Sequence, residues 1–207
     1  MMNSIVTCNK CSRIHKNLKS LRQKYITYHN NPVDGYGSIK SKLFIVGLAP
    51  GLHGANRTSR PFKGDFSGNL LHKCLSDIMA MNNNTYIKPY ITNAVKCYPP
   101  NNKPLISEIT NCSHYLSNEI LKTSQKKVIL ALGKIAHDSI IKITNHKLKL
   151  YPFIHSHIYS INDKITLIDS YHCSKLNINT KRLTEKTLQE VILKAMIISR
   201  YYDKYKN

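Results

Sequence analysis

The sequence lacks an apolar run of the ~20 residues that a membrane helix needs, and its first residues do not resemble a secretory signal. We therefore expect a cytoplasmic protein without membrane contacts. Acidic residues are scarce as well: 11 Asp and Glu stand against 31 Lys and Arg, so the formal net charge is +20. This excess favours polyanions such as nucleic acids. Because an AT-rich genome, which encodes Lys and Asn freely, would also produce this excess, the motifs have to decide.

The chain of 207 residues is long enough for one hydrophobic core, and we expect one domain, 1–207. Four apolar runs predict strands covered on both faces: 42–49, 90–97, 127–133 and 165–171. Helical periodicity is found around 71–78, 105–120, 135–143 and 180–202. This alternation predicts an α/β fold, a three-layer α/β/α sandwich with a central, mostly parallel four-stranded sheet. In such a sheet the loops after the strands carry the chemistry.

The loop after the first strand concentrates glycine. Residues 47–68, "GLAPGLHGANRTSRPFKGDFSG", contain five of the eight glycines and two of the eight prolines. Gly47, Gly51 and Gly54 would allow positive φ angles and a close approach of the main chain to a ligand. The loop is neither GxGxxG nor a P-loop, which argues against phosphate-nucleotide binding. A tight turn would explain the first two glycines but not the polar residues after them, so the loop predicts a binding site.

Five segments together resemble the motifs of the family 5 uracil-DNA glycosylases. They are "NPVDGYG" (31–37), the glycine-rich loop, "ITNAVKCYPPNNKP" (91–104), "ALGKIAHDS" (131–139) and "SYHCSKLNINTKRLT" (170–184). The resemblance implies a repair enzyme that flips uracil out of DNA and hydrolyses the N-glycosidic bond, leaving an abasic site. Other deaminated bases are an open extension. It also implies DNA as the partner and a prokaryotic, nucleoid-associated location, and we expect a monomer.

The resemblance assigns roles in base binding to several loop residues. Phe62 would stack on the flipped base, and Asn93 would accept a hydrogen bond from N3–H and donate one to O4. Asn93 could instead bond its own loop. Gly51 and Ala49 would line the pocket on the O2 side. His172 would stabilise the negative charge that develops on the departing uracil.

The residue that positions the attacking water is less clearly assigned. Other uracil-DNA glycosylase families carry Asp or Glu beside the proline of this first motif, whereas "GLAPG" offers Leu48 and Ala49. Asn56 is the candidate, and Asp65 is the alternative. His53 would either line the pocket or contact a phosphate.

Cations and small donors in the same loops predict contacts to the DNA backbone. They are Arg57, Thr58, Arg60, Lys63, Lys103, Ser174 and Lys175. Leu176 would either wedge into the base stack or pack within the protein. The basic tail, 200–207, is expected to be a solvated helix end rather than a DNA-binding arm.

Four of the six cysteines form a candidate metal site. In a reducing compartment cysteines are better metal ligands than disulfide partners. Cys8, Cys11, Cys97 and Cys112 could hold either zinc or a [4Fe–4S] cluster, and their spacing does not separate the two. Related glycosylases of families 4 and 5 carry a [4Fe–4S] cluster on a similar set, so the resemblance implies a cluster that ties down residues 1–30. Zinc is the alternative.

The other two cysteines have structural interpretations. Cys74 lies on the apolar face of a predicted helix and is expected in the core. Cys173 stands where the family usually has proline, which would loosen the backbone beside His172. Two rival functions stay open: a non-catalytic iron–sulfur nucleic-acid-binding module of the same fold, and a zinc hydrolase acting on another substrate.

Overall fold

In a computed structural model, residues 5–81, 88–122 and 124–204 are described. The strands are β1 (Leu43–Gly47), β2 (Tyr90–Asn93), β3 (Lys127–Leu132), β4 (Ile158–Ser160) and β5 (Ile165–Ser170). The helices are α1 (Ser12–Lys24), α2 (Ala55–Thr58), α3 (Phe66–Met81), α4 (Ile106–Leu121), α5 (Lys134–Ile143), α6 (Lys175–Asn179) and α7 (Glu185–Lys204). Within these ranges no helix has the length and apolar character of a membrane span. The ends of the predicted domain and of the basic tail, 1–4 and 205–207, lie outside the described residues.

The strands form one sheet in the order β2-β1-β3-β5-β4. Four of them are parallel, and β4 pairs with β5 in the antiparallel direction. The prediction of a mostly parallel sheet in an α/β fold is confirmed, but the predicted count of four strands is wrong. Strand β4 has only three residues, none of them buried, so it lacks the apolar run by which the others were identified. It lies at the edge of the sheet, where short strands are common.

Each central strand is buried on both faces. In β1, Leu43 and Ile45 belong to one core cluster together with residues of α3 and α7, while Phe44 and Val46 belong to another together with residues of α4 and α5. This two-sided burial explains why the strand sequences are continuously apolar instead of alternating. The helices therefore lie in two layers on either side of the sheet, as predicted.

The N-terminal helix α1 was missed by the sequence analysis, although its apolar residues recur at helical spacing. Its residues Ile14 and Leu18 are buried against Val95 and Tyr98 in a third cluster, beyond the end of β2. The segment therefore has a small hydrophobic core of its own against the rest of the chain.

An ion pair adds a polar attachment for α1. The guanidinium of Arg13 donates hydrogen bonds to both carboxylate oxygens of Glu108, at 2.9 and 2.7 Å, and a third to the carbonyl of Lys103 at 2.9 Å. Paired bonds between Arg and a carboxylate are among the stronger side-chain interactions. Because Glu108 lies in the first turn of α4, the pair connects α1 to that helix.

Truncation of Leu18 tests this docking of α1. Leu18 is 3% exposed, so Leu18→Ala should lower the free energy of unfolding by about 2–5 kcal/mol in urea denaturation. The control Leu150→Ala, at a position that is 65% exposed, should change it by less than about 0.5 kcal/mol. Equal effects of the two substitutions would contradict the packing of α1.

Candidate active site

A cavity of ≈ 330 Å³ opens at the carboxyl ends of β1, β2 and β5. Its lining residues are Leu48, Ala49, Gly51, Ala55, Phe62, Asp65, Ser67, Asn93, Asn102, His172 and Ser174. Asn93 is the last residue of β2, and His172 follows β5 by two residues. Parallel strands bring such loops to one edge of the sheet, so the three residues predicted to hold the base and its developing charge, Phe62, Asn93 and His172, share this cavity.

Gly47 leaves the space that two of these side chains occupy. A Cβ atom at Gly47 would lie 2.5 Å from Oδ1 of Asn93 and 2.6 Å from Cζ of Phe62. The expectation that the loop glycines adopt positive φ is wrong for Gly47, Gly51 and Gly54, none of which does so. Glycine is required here because side chains fill the volume, and the backbone conformation itself would tolerate other residues.

Phe62 is held in an unusual backbone conformation. Its φ is 52°, in the left-handed region that a bulky residue rarely adopts. The carbonyl of Phe62 lies so close to α3 that a Cβ at Gly68 would approach its oxygen to 2.3 Å. Its ring is 7% exposed, and its centroid lies 6.1 Å from that of His172. Such conformations cluster at binding sites, where the surrounding packing enforces them.

Asp65 contacts two different parts of the site. One carboxylate oxygen, Oδ1, accepts a hydrogen bond of 2.9 Å from the N–H of Gly68 in the first turn of α3. The other, Oδ2, lies beside the glycine-rich loop, where a Cβ at Gly51 or Gly54 would come within 2.9 or 2.0 Å of it. The carboxylate is thus fixed by one oxygen, while its side chain lines the cavity.

His172 is fixed through its main chain, and its environment favours the neutral ring. Its carbonyl accepts a hydrogen bond of 2.8 Å from the side-chain amide of Asn177. Burial lowers the pKa of His172, and the nearby charge of Asp65 offsets only part of this effect. The imidazole is therefore neutral near pH 7 and can still donate one hydrogen bond.

Two predicted residues do not line this cavity. Asn56 is fully buried, and its side-chain amide donates to Oδ1 of Asn30 at 2.8 Å, while its own Oδ1 has no partner among the described residues. His53 is exposed, and its Nδ1 lies 3.0 Å from the hydroxyl of Tyr28. Of the two candidates for positioning water, the cavity therefore contains the alternative, Asp65, and lacks Asn56.

Two of the predicted DNA contacts also stabilise the loop itself. Arg57 donates a hydrogen bond of 2.9 Å to the carbonyl of Gly64, and the hydroxyl of Thr58 donates to the carbonyls of Gly54 and Lys63 at 3.1 and 3.0 Å. The carbonyl of Lys63 thus takes part in this network, although Lys63 is exposed to solvent. These bonds hold residues 54–64 as a compact turn beside the cavity.

The remaining candidates lie at different distances from the cavity. Ser174 lines it and is the N-cap residue of α6, where its hydroxyl accepts a hydrogen bond from the N–H of Asn177. Lys103 and Lys175 are exposed, and Leu176 is 70% exposed. Arg60 lies instead over the ring of Tyr36. Because Leu176 is exposed, packing within the protein does not explain why this side chain is apolar.

Part of the cavity wall carries no recognisable signal in the sequence. Leu48, Ala55, Ser67 and Asn102 line it without having been assigned a role in binding. Asn102 lies in the loop after β2 that was identified as part of the site, but nothing distinguishes it there from its neighbour Asn101. Both asparagines adopt a φ of 56°, a conformation that local sequence alone does not specify.

The four candidate cysteines line a second cavity, of ≈ 210 Å³. Burial raises the pKa of Cys97 above its usual range and that of Cys112 to about 11. The side-chain amide of Asn111 donates to the sulfur of Cys11 at 3.6 Å. In the described part of the chain, no three His, Cys, Asp or Glu side chains are arranged to hold a metal ion. Cys8 completes the set of four around the cavity.

The two other cysteines are buried. Cys74 belongs to the core between the sheet and the layer of α3 and α7, as expected. Cys173 belongs to the same cluster, and its thiol lies 3.4 Å from the carbonyl of Ser67. The expected loosening of the backbone beside His172 is opposed by this packing.

Comparison with known proteins matches residues 35–195 to a family described as the uracil DNA glycosylase superfamily. A type-5 uracil-DNA glycosylase of Pyrobaculum aerophilum is 36% identical, covering 94% of this chain and 90% of its own. A type-5 uracil-DNA glycosylase of Thermus thermophilus is 34% identical, covering 81% and 80%. A type-4 uracil-DNA glycosylase of Saccharolobus solfataricus is 30% identical, covering 74% and 70%.

The role of Gly47 is tested by the smallest possible addition. Gly47→Ala should lower the free energy of unfolding by about 1–3 kcal/mol, because the added methyl group overlaps Phe62 and Asn93. Gly51→Ala is the matched control, since its Cβ would approach only a carboxylate oxygen of Asp65, at 2.9 Å, and it should cost less. Urea denaturation measures both variants. A Gly47→Ala protein as stable as the parent would refute this explanation of the glycine.

Proposed function

This chain belongs to the uracil DNA glycosylase superfamily, and on that basis we propose that it excises uracil from DNA by hydrolysing the N-glycosidic bond. The product would be DNA with an abasic site. The observation that carries this proposal is the convergence of Phe62, Asn93 and His172 on one cavity. Excision of other deaminated bases is an extension of the same proposal.

The flipped uracil would bind between a stacking surface and a hydrogen-bonding edge. The ring of Phe62 supplies the stacking surface, worth about 1–3 kcal/mol. The amide of Asn93 accepts a hydrogen bond from N3–H and donates one to O4. Cytosine reverses both groups on its edge and would meet two mismatched partners. Asn93 is 4% exposed, so water compensates little for such a mismatch.

Bond breaking leaves negative charge on uracil and positive charge on the sugar. His172 would donate a hydrogen bond to the uracil oxygen as that charge develops. A neutral imidazole, which burial favours here, performs this role without a prior proton uptake. The donor is held in place through the bond between its carbonyl and the side chain of Asn177.

We infer that Asp65, and not Asn56, positions the attacking water. Asp65 lines the cavity, and its carboxylate can orient a water molecule and accept its proton. The same negative charge would stabilise the cationic sugar. The side-chain amide of Asn56 donates to Asn30, and Asn56 does not line the cavity.

The DNA strand would run across the loops that surround the cavity. Exposed cations such as Lys63, Lys103 and Lys175 would contact phosphates, and the net charge of +20 would strengthen binding at low salt. Leu176 would insert into the base stack after the uracil has left, because it is a large apolar side chain exposed beside the cavity. A monomer in the cytoplasm, associated with the nucleoid, stays a prediction.

For the four cysteines we propose a [4Fe–4S] cluster. All four line one cavity, and the resemblance to families 4 and 5 favours a cluster there, with zinc as the alternative. Such a group would connect the chain before α1 to the end of β2 and to α4. Its contribution would be structural, since the cysteines and the base cavity share no lining residue.

An oligonucleotide with one uracil tests the proposed reaction. With the protein in molar excess, alkali treatment should cut the strand at the uracil, and an identical strand with thymine should stay intact. Binding without an abasic site would instead support the non-catalytic module. That alternative is not favoured now, because relatives named as glycosylases match most of the chain. Failure to form an abasic site would overturn the proposed function.

Asn93→Asp tests the hydrogen-bonding edge. The carboxylate would face O4 with an acceptor, so kcat/KM for uracil should fall roughly 10- to 100-fold, the effect of one unpaired buried group. Discrimination between uracil and cytosine, measured in single-turnover reactions, should fall with it. Asn101→Asp makes the same change at an exposed position and should retain activity. An unchanged ratio of uracil to cytosine excision would show that Asn93 does not read the base.

Cys97→Ser tests the proposed cluster. The variant should lose the brown colour and visible absorbance of the protein, and its N-terminal segment should unfold more readily. Cys74→Ala alters a core cysteine outside the set and should keep the colour. A brown Cys97→Ser protein with unchanged stability would refute the assignment of this ligand.

A further inference from the structure

A separate cavity of ≈ 400 Å³ lies on the edge of the sheet near the base cavity. We call it the Arg60 cavity. The lining residues that matter here are Tyr36, Arg60, His72, Met79, Lys88 and Ile91. Among the described residues, it shares no lining residue with the base cavity, and no acidic side chain lines it. Its wall therefore combines apolar surface with cationic groups and no counter-charge.

Arg60 has a hydrogen-bonding capacity that the described residues do not use. Its guanidinium carbon lies 3.4 Å from the centroid of the Tyr36 ring, so the two groups stack. Its Nε is buried and has no hydrogen-bond partner among the described residues. Because Nε itself is covered, a phosphate oxygen would have to be bound through the terminal nitrogens of this half-buried residue, and a guanidinium fits a phosphate well.

Tyr36 offers a fixed aromatic surface. It is 46% exposed, and its main chain exchanges two hydrogen bonds of 2.8 Å with Ile91 in the edge strand β2. Met79 on α3 and Ile91 add apolar surface to the same cavity. With Arg60 over one face of the ring, an unpaired nucleobase can stack on the planar guanidinium or on the free face of the ring, while the cations bind its phosphate.

The Arg60 cavity is adjacent to the site of the flipped base. Ile91 precedes Asn93 by two residues on β2, so both side chains are on one face of the sheet, about 7 Å apart along the strand. Arg60 precedes Phe62 by two residues. His72, which lines the Arg60 cavity, also interacts with the main chain of Phe62, so one wall of this cavity adjoins the stacking residue of the base cavity.

We propose that the Arg60 cavity binds the nucleotide next to the flipped one in the same DNA strand. The neighbouring base stacks on the surface formed by Tyr36 and Arg60, and its phosphate is bound by Arg60 and Lys88. The proposal rests on the proposed function, because it assumes that the base cavity holds a flipped uracil. It adds a second contact to a nucleobase, beyond the flipped base itself.

The test measures binding to a uracil oligonucleotide whose 2′-fluoro sugar resists cleavage. The neighbouring nucleotide on each side of the uracil is replaced, one at a time, by an abasic residue. For the parent protein, the loss of one neighbour should weaken binding about 5- to 100-fold in fluorescence anisotropy at fixed salt, and the loss of the other should matter little. In Tyr36→Ala and Arg60→Gln, this dependence should fall below about twofold.

Matched variants separate this role from folding and charge. Lys149→Gln removes one exposed positive charge elsewhere and should keep the dependence on the neighbouring base. Tyr36→Phe retains the ring and should also keep it. Thermal melting identifies variants that fail to fold. If Arg60→Gln does not fold, Arg60→Lys replaces it. This variant keeps the charge but loses the planar group, so its binding should lose most of the dependence on the neighbouring base.

The proposal would be overturned if removal of the neighbouring base weakened binding equally in the parent, Tyr36→Ala and Arg60→Gln. It would also be overturned if binding by the parent depended on neither neighbour. Binding of a free deoxynucleoside monophosphate to the parent but not to Arg60→Gln, without any effect of the neighbouring base, would assign the cavity to a free nucleotide and also overturn it. A failure of the proposed function is distinguishable, because it appears as an absence of abasic sites in the cleavage assay. The neighbour dependence is measured by binding alone.

Discussion

The missing side chain at Gly47 is the constraint on which the base cavity depends. Gly47 ends the central strand β1 and pairs in register with Asn93 at the end of β2. The volume beside it is occupied by the side chains of Asn93 and Phe62. Any larger residue would separate the stacking ring from the hydrogen-bonding amide. The glycine at this position is therefore best explained by the packing of cavity-lining side chains against the sheet.

Several residues around the cavity combine a structural contact with a proposed chemical one. Asp65 binds the first turn of α3 through one oxygen and faces the glycine-rich loop with the other. Phe62 keeps a strained backbone because α3 packs closely against its carbonyl. The structural contacts restrict the motion of these residues before any substrate binds. Stabilisation of a transition state by fixed groups requires such restriction. Stability and activity should consequently be coupled in this loop.

Most of the sheet and the shared location of Phe62, Asn93 and His172 could be predicted, because buried parallel strands have distinctive apolar runs and their loops must meet at one edge. The short edge strand β4 and the direction of the Asn56 side chain could not. Their positions depend on tertiary packing: β4 has no buried residue, and Asn56 is held by a contact with Asn30, 26 residues earlier in the chain. The same limit applies to Asn102, whose neighbour has identical chemistry and backbone angle.

A crystal structure with uracil bound would show whether Phe62, Asn93 and His172 hold the base together. The ring should stack on Phe62, with the amide of Asn93 within hydrogen-bonding distance of N3 and O4 and the imidazole of His172 within the same distance of the other carbonyl oxygen. Uracil bound in a different cavity, or bound here without contacting Asn93 and His172, would contradict this prediction.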